Sequence, residues 1–239
     1  MPDKETLCVT SFHPDHYELY GRGFLESYLE HMDQYLVIYT EGIERVPEVD
    51  HPLVELRDLK SVNGMMETLK LTNFDAAKGK LWGDTPIDYR FNVNGFCRKS
   101  FAQIDAAFRH AAAGGKFLYW LDADIEFNAR MALPSVSDTF MLYLGRQQYH
   151  SCTSFVAWNL TYAGWQEYFN RYWALYVTGT VFALQEWHDA FVTDFLRQDL
   201  QVPAVDLAAM VEAQGSDNVF DMVFAGARHK KGKIKRSSD

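Results

Sequence analysis

The predicted fold of this chain follows from one stretch of its sequence, Lys116-Phe117-Leu118-Tyr119-Trp120-Leu121-Asp122-Ala123-Asp124. Its run of apolar residues is typical of a buried strand, and two carboxylates follow where that strand ends. In an open α/β sheet, ligands bind at the carboxyl ends of the strands. Oxygen ligands that alternate with a small residue suit a hard divalent cation such as Mg²⁺ or Mn²⁺. The alternative is that Asp122 and Asp124 simply begin a turn, as aspartates often do.

Strand-like and helix-like segments alternate before this stretch. The predicted strands are 7–12, 35–40 and 53–56, and the predicted helices are 17–32 and 97–111, the second ended by Gly114-Gly115. This alternation predicts an α/β fold with a mainly parallel, Rossmann-like central sheet flanked by helices. A polar excursion at 73–90 is long enough to suggest a functional loop.

The second half of the chain has a different pattern, with strands predicted at 140–144 and 154–158. An aromatic helical stripe follows at 165–176, and a further helix is predicted at 186–196. Because no low-complexity linker separates the halves, we predict a single domain. Residues 1–127 would form its ligand-binding half, 128–227 an acceptor half, and 228–239 a basic tail.

Composition narrows the class of protein. With 239 residues, of which 48% are hydrophobic, the chain can bury one well-formed core. It contains no apolar run of the roughly 20 residues that span a bilayer, and its first residues lack the pattern of a signal peptide, so we expect a cytoplasmic protein. Cys8, Cys97 and Cys152 are odd in number and widely spaced, which predicts buried free thiols rather than disulfides or a zinc site.

The net charge of -9 is unevenly distributed along the chain. Residues 228–239 carry six basic residues and one acid, so the remainder of the chain is strongly acidic. An acidic body without an arginine or lysine stripe argues against nucleic acid as a partner. The basic tail permits weak contact with an anionic membrane surface.

Taken together, these segments resemble the nucleotide-diphospho-sugar glycosyltransferases of the GT-A fold, which carry an Asp-x-Asp motif. The resemblance rests, in chain order, on Ser11-Phe12, on Phe96-Cys97-Arg98-Lys99-Ser100-Phe101, on Leu121-Asp122-Ala123-Asp124, on Glu186-Trp187-His188-Asp189 and on His229-Lys230-Lys231-Gly232-Lys233. It implies transfer of a sugar from a UDP- or GDP-sugar donor to a glycan or another hydroxyl acceptor. It also implies that Mn²⁺ or Mg²⁺ stabilises the leaving diphosphate.

The resemblance assigns the metal ligands. Asp124 would bind the metal directly, and Asp122 would contact the nucleotide ribose or reach the metal through water. His229 would supply the remaining protein ligand, and Lys231 would help to neutralise the diphosphate. The alternative for His229 and Lys231 is a solvated basic tail.

The expected nucleotide contacts are Ser11, Phe12, Glu41, Asp58 and Lys99, with Arg98 as the competitor of Lys99. Phe12 would stack on the base, and Glu41 or Asp58 would accept hydrogen bonds from base or ribose. Lys99 would reach a phosphate. The alternatives are core packing for Phe12, turn formation for the two acids, and a solvated lysine.

On the acceptor side, the spacing of Glu186 and Asp189 predicts that they share one helical face. We expect Asp189 to be the catalytic base of an inverting transfer. Glu186 is its competitor or a partner that orients the acceptor. The alternative is a pair of solvated helix acids.

Other classes of protein compete with this interpretation. A haloacid-dehalogenase-like phosphatase is disfavoured, because its aspartate pair lies on the first strand and because Glu126 occupies the position of the expected Thr or Val. A nucleotidyltransferase of similar fold and a non-catalytic module that binds nucleotide sugars or glycans stay as alternatives.

Overall fold

A computed structural model describes residues 4–47, 49–81 and 86–230. The strands in this part of the chain are β1 (Thr6–Ser11), β2 (Tyr35–Thr40), β3 (Val54–Asp58), β4 (Phe117–Leu121), β5 (Ile125–Phe127), β6 (Met141–Tyr143), β7 (Phe155–Asn159), β8 (Ala204–Asp206) and β9 (Ala227–His229). The α-helices are α1 (Arg22–His31), α2 (Met65–Leu71), α3 (Val93–Ala112), α4 (Trp165–Val177), α5 (Asp189–Asp199), α6 (Leu207–Met210) and α7 (Val219–Val223).

Seven of the strands form one sheet in the order β3-β2-β1-β4-β7-β6-β8. Within it, β7 alone runs against the others, since it is antiparallel to both β4 and β6 while the remaining pairs are parallel. The prediction of an α/β fold with a mainly parallel central sheet flanked by helices is thus confirmed. Strands β5 and β9 form a separate antiparallel pair.

The two predicted halves of the chain contribute to the same sheet. β4 lies before residue 127 and β7 lies after it, and the two pair from Phe117 opposite Asn159 to Leu121 opposite Phe155. Each face of this sheet has its own apolar core. The side chains of β4 alternate between the two cores, and both faces of that strand are therefore covered. This double burial explains its continuous apolar run.

Most predicted elements are confirmed within a few residues, and β2 has the predicted bounds. Helix α3 begins earlier than its apolar stripe indicated, because the side chain of Asn92 accepts a hydrogen bond from the Gly95 N–H and caps the helix. Gly114, just after the helix, has a φ of 86°. It therefore adopts the left-handed conformation expected of a helix stop.

One predicted helix boundary is wrong. Helix α5 begins at Asp189 rather than at Glu186, because the His188 backbone is extended (φ -81°, ψ 160°) and the Trp187 N–H donates to the carbonyl oxygen of Arg90. Glu186 therefore precedes the helix. It does not share a helical face with Asp189, contrary to the prediction from their spacing.

The start of the predicted basic tail also has defined structure. Ala227 to His229 form β9, which pairs with β5 so that Ile125 lies opposite His229. Residues 231–239, including Lys231, lie outside the described part of the chain. None of the helices in the described ranges is both long and apolar enough to cross a membrane.

Candidate functional site

The carboxyl ends of the parallel strands bring the predicted site residues to one edge of the sheet. Two cavities open there, one of about 420 Å³ and the other of about 550 Å³. Phe96 and Asp122 contribute to the lining of both cavities. Asp122, directly after β4, thus stands at the boundary between them.

Asp122, Asp124 and His229 form a cluster whose potential ligand atoms all lie within 4.8 Å of one another. The Nε2 atom of His229 is 3.0 Å from Oδ1 of Asp124 and 3.8 Å from Oδ2 of Asp122. The structure thus brings together the three residues predicted to hold a metal.

Hydrogen bonds from backbone N–H groups hold this cluster in place. A turn after β4, closed by a 3.1 Å bond from the Ile125 N–H to the carbonyl oxygen of Asp122, carries Asp124 into β5. Pairing of β5 with β9 then sets His229 beside it, and the Lys230 N–H donates to the carbonyl oxygen of Asp124 at 3.0 Å. The Asp221 carboxylate accepts the His229 N–H at 2.8 Å.

The charges of this cluster suit a cation. Burial opposes the charged form of His229, but hydrogen bonds to Asp124 and Cys152 and the nearby carboxylates raise its pKa to about 9. The imidazolium therefore offsets the charge of Asp124, which is only 5% exposed. Because a metal ligand must be an unprotonated imidazole, a cation bound here would displace that proton. Two carboxylates and one imidazole form a donor set that fits Mn²⁺ or Mg²⁺.

Asp122 is oriented by two donors on the side away from His229. Its Oδ1 atom accepts hydrogen bonds from the Lys99 ammonium at 2.8 Å and from the Trp120 indole at 2.7 Å. Its Oδ2 atom is the one that faces His229. The aspartate is thus fixed with one oxygen directed toward the cluster.

Lys99 is a buried link between the two cavities. Its ammonium lies 2.8 Å from the Asp189 carboxylate and donates to the carbonyl oxygen of Thr153 at 2.6 Å. Burial opposes its charge, but Asp122 and Asp189 hold the pKa of the ammonium above its ordinary value. The cation predicted to meet a phosphate is instead bound to two carboxylates.

Asp189 is buried, and its environment keeps it ionised. Burial acts to raise its pKa, but the charge and hydrogen bond of Lys99 and the hydrogen bond of Thr153 hold that pKa below its ordinary value. The Thr153 hydroxyl donates to its Oδ2 atom at 2.6 Å. Its Oδ1 atom lies 4.0 Å from Nδ1 of His188.

Glu186 lies in the same cavity of about 550 Å³ as Asp189 but has different neighbours. Its Oε2 atom is 2.8 Å from Nε2 of His188 and 3.6 Å from Nε2 of His150. The potential ligand atoms of these three residues also lie within 4.8 Å of one another. Burial holds the pKa of His188 below its ordinary value, so its imidazole is neutral.

Most of the predicted nucleotide contacts line the cavity of about 420 Å³, including Ser11, Phe12, Glu41, Lys99 and Asp122. Glu41 is already paired with Arg98, which also lines the cavity. Asp58 is not among the lining residues. Its carboxylate instead accepts the Lys60 N–H at 3.0 Å and begins a turn.

Sequence reasoning missed two contacts around the metal-capable cluster. The pattern of the sequence indicates only a strand position for Trp120, although its indole orients Asp122. Cys152 lies beside His229: burial opposes ionisation of its thiol, but hydrogen bonds with His229 and Ser154 lower the pKa of the thiol to about 7. No local pattern connects Cys152 with His229, because the two are distant in sequence and meet only through β9.

No protein-family model matches the chain, and a search of curated proteins gave no match. The chemistry and placement of these side chains are therefore the basis for a functional assignment.

Proposed function

We propose that the protein is a metal-dependent glycosyltransferase that moves a sugar from a nucleoside-diphosphate donor to a hydroxyl acceptor. One observation carries this proposal: the carboxylates of Asp122 and Asp124 meet the imidazole of His229 at the carboxyl edge of a parallel sheet, where two cavities adjoin. A group-transfer enzyme needs such an arrangement, because donor and acceptor must meet at the reacting bond.

The cavity of about 420 Å³ is our candidate for the donor nucleotide. Phe12, which is 6% exposed and lines this cavity, offers an aromatic edge for the base. Ser11 and Glu41 offer hydrogen-bonding groups, and Arg98 offers a cation for phosphate. The GT-A fold, which the resemblance implies, is part of this same proposal.

Asp122, Asp124 and His229 would hold Mn²⁺ or Mg²⁺, and the metal would stabilise the charge of the departing diphosphate. The two carboxylate oxygens of Asp122 have different partners. Lys99 and Trp120 engage one oxygen, which leaves the other directed toward the cluster.

The cavity of about 550 Å³ is our candidate for the acceptor, and we propose Asp189 as the base. The bond between the donor sugar and the diphosphate breaks as the acceptor oxygen bonds to the anomeric carbon, and Asp189 takes the hydroxyl proton. The ion pair with Lys99 keeps Asp189 ready to accept that proton. It also weakens Asp189 as a base, because a base with a low pKa takes a proton less readily.

The first prediction concerns the metal. Asp124→Asn removes a charged ligand from the cluster, so the affinity for UDP or GDP should no longer rise when Mn²⁺ is added. Isothermal titration with and without Mn²⁺ measures this change. The control is Asp138→Asn, an exposed aspartate that does not belong to the cluster. Metal-enhanced binding that persists in Asp124→Asn would contradict the assignment.

Product analysis separates the proposal from its alternatives. A transferase releases nucleoside diphosphate and free sugar slowly from a nucleotide sugar when water replaces the acceptor. A nucleotidyltransferase releases inorganic diphosphate from a nucleoside triphosphate and a sugar phosphate. A non-catalytic module binds a nucleotide sugar or glycan without turning it over.

A further inference from the structure

We propose that His150, Glu186 and His188 form a second metal site, selective for a borderline transition-metal cation such as Zn²⁺. The site is separate from the cluster around Asp124 and does not depend on the proposed sugar transfer. It lies in the cavity of about 550 Å³, which all three side chains line.

The spacing of the ligand atoms suits a small cation. In a tetrahedral zinc site with bonds of about 2.0–2.1 Å, neighbouring ligand atoms are about 3.3 Å apart. Oε2 of Glu186 lies 2.8 Å from Nε2 of His188 and 3.6 Å from Nε2 of His150. A cation between them requires only small side-chain adjustments.

Both histidines have a carboxylate next to the other ring nitrogen. Nδ1 of His150 lies 3.6 Å from Asp194, and Nδ1 of His188 lies 4.0 Å from Asp189. These distances exceed a hydrogen bond, so the two carboxylates add negative charge beside the imidazoles, which favours a bound cation. Asp194 is itself held in place by Ser151, whose N–H and hydroxyl donate to it at 2.9 Å and 2.6 Å.

The surroundings of the imidazoles are aromatic. The ring of Tyr89 lies 5.5 Å and that of Phe96 6.1 Å from the ring of His188. The ring of Phe191 lies 5.0 Å from that of His150. These rings restrict the positions that the two imidazoles can adopt, while the site stays open to the cavity.

The donor set explains the selectivity. Two imidazoles and one carboxylate are softer than the two carboxylates and one imidazole of the first cluster, so this site should prefer Zn²⁺ to Mg²⁺ or Mn²⁺. Three protein ligands leave one position for a water or another oxygen ligand from the cavity, as in catalytic zinc sites.

The test measures Zn²⁺ binding in a background in which the first cluster has lost the carboxylate of Asp124. Untagged Asp124→Asn protein, stripped with a chelator, is titrated with Zn²⁺ against a chromophoric chelator. The same titration is made after adding His150→Gln or His188→Gln, with His51→Gln as the histidine control. Substitution of Co²⁺ for Zn²⁺ gives a second readout, since tetrahedral cobalt absorbs visible light strongly.

We expect one Zn²⁺ per chain in Asp124→Asn and in its His51→Gln control. Loss of either ligand histidine should weaken binding by at least about 100-fold and remove the tetrahedral cobalt spectrum. His150 has a side chain that is 36% exposed, so His150→Gln should fold even if His188→Gln does not; circular dichroism checks both. Unchanged affinity in folded His150→Gln, or loss of Zn²⁺ binding through Asp124→Asn alone, would overturn the second site.

Discussion

Lys99 is the residue on which the electrostatics of both cavities depend. Its ammonium compensates the buried carboxylate of Asp189 and the partly buried carboxylate of Asp122. A buried charge that loses its partner costs far more than the pair contributes as a whole. The contacts of Lys99 therefore give a stability prediction that is independent of any ligand.

Lys99→Met should destabilise the protein by about 3–5 kcal/mol, since it leaves Asp189 buried without a cation. Urea unfolding followed by tryptophan fluorescence measures the free energy of unfolding. The matched control is Lys116→Met, which breaks an exposed pair with Glu5 and should change stability by no more than about 1 kcal/mol. Equal losses of unfolding free energy in the two variants would show that the buried ion pair contributes no more to stability than the exposed one.

A second prediction tests whether Asp189 or Glu186 is the catalytic base. If Asp189 is the base, Asp189→Asn should retain donor affinity but lower turnover by about 10²–10⁴-fold. The low pKa set by Lys99 favours the smaller end of that range. Glu186→Gln should have the smaller effect, because its carboxylate is bonded to His188.

Turnover of a nucleotide sugar and the anomeric configuration of the product are the measurements. Because Asp189 is buried, melting temperatures are measured to check that the substituted protein is folded. Near-normal turnover in folded Asp189→Asn, or retention of configuration, would reject Asp189 as the base of an inverting transfer.

At the scale of elements, the sequence indicates long elements well and short ones poorly. β4 and α3 have strong periodic or apolar patterns, and both are found where predicted. The start of α5 differs from the prediction because the Trp187 N–H donates to the carbonyl oxygen of Arg90 beside the extended backbone of His188, a contact that no local pattern reveals. β9 has only three residues and exists through its pairing with β5, so it lacks a local signal.

The β5–β9 pair gives the element-scale prediction. Ending the chain after Gly226 removes β9 and with it His229, so Mn²⁺ should no longer increase nucleoside-diphosphate affinity. Ending it after Lys230 retains β9 and removes only 231–239. The loss of Mn²⁺-enhanced affinity in His229→Ala should lie between the losses in these two truncations.

Titration of all three variants with Mn²⁺ and UDP or GDP tests this order. If the two truncations weaken binding equally, the effect belongs to the lysines of the predicted tail, including Lys231, and not to His229. Thermal unfolding shows whether either truncation disturbs the sheet.

At the scale of the whole molecule, the sequence predicted the sheet and the edge at which the site residues meet. The resemblance also grouped Asp122, Asp124 and His229, but the other side-chain contacts at that edge were not predicted. Lys99 on α3 meets Asp189 on α5, and Cys152 meets His229 on β9, only when segments that are distant in sequence pack together. Periodicity describes the face on which a residue lies, whereas these contacts depend on the packing of the entire sheet.

Because β4 and β7 join the two halves in one sheet, we predict a single cooperative unfolding transition. Tryptophan fluorescence and far-ultraviolet circular dichroism should give coincident curves in urea. Nucleoside diphosphate with Mn²⁺ at 100 times its dissociation constant should add about 2.7 kcal/mol to the free energy of unfolding. Two separate transitions would mean that the halves unfold independently.

The reversed direction of β7 has a consequence for how this protein can diversify. Because β7 starts at the edge where the other strands of its sheet end, the connection from β6 forms a local antiparallel hairpin beside the larger cavity. Residues 147–149 in that connection are exposed and can be exchanged without altering any long crossover of the parallel strands. The architecture thus separates a short replaceable segment from the fixed carboxylates after β4, and a library confined to 147–149 would vary the rim of the cavity proposed for the acceptor while leaving those carboxylates in place.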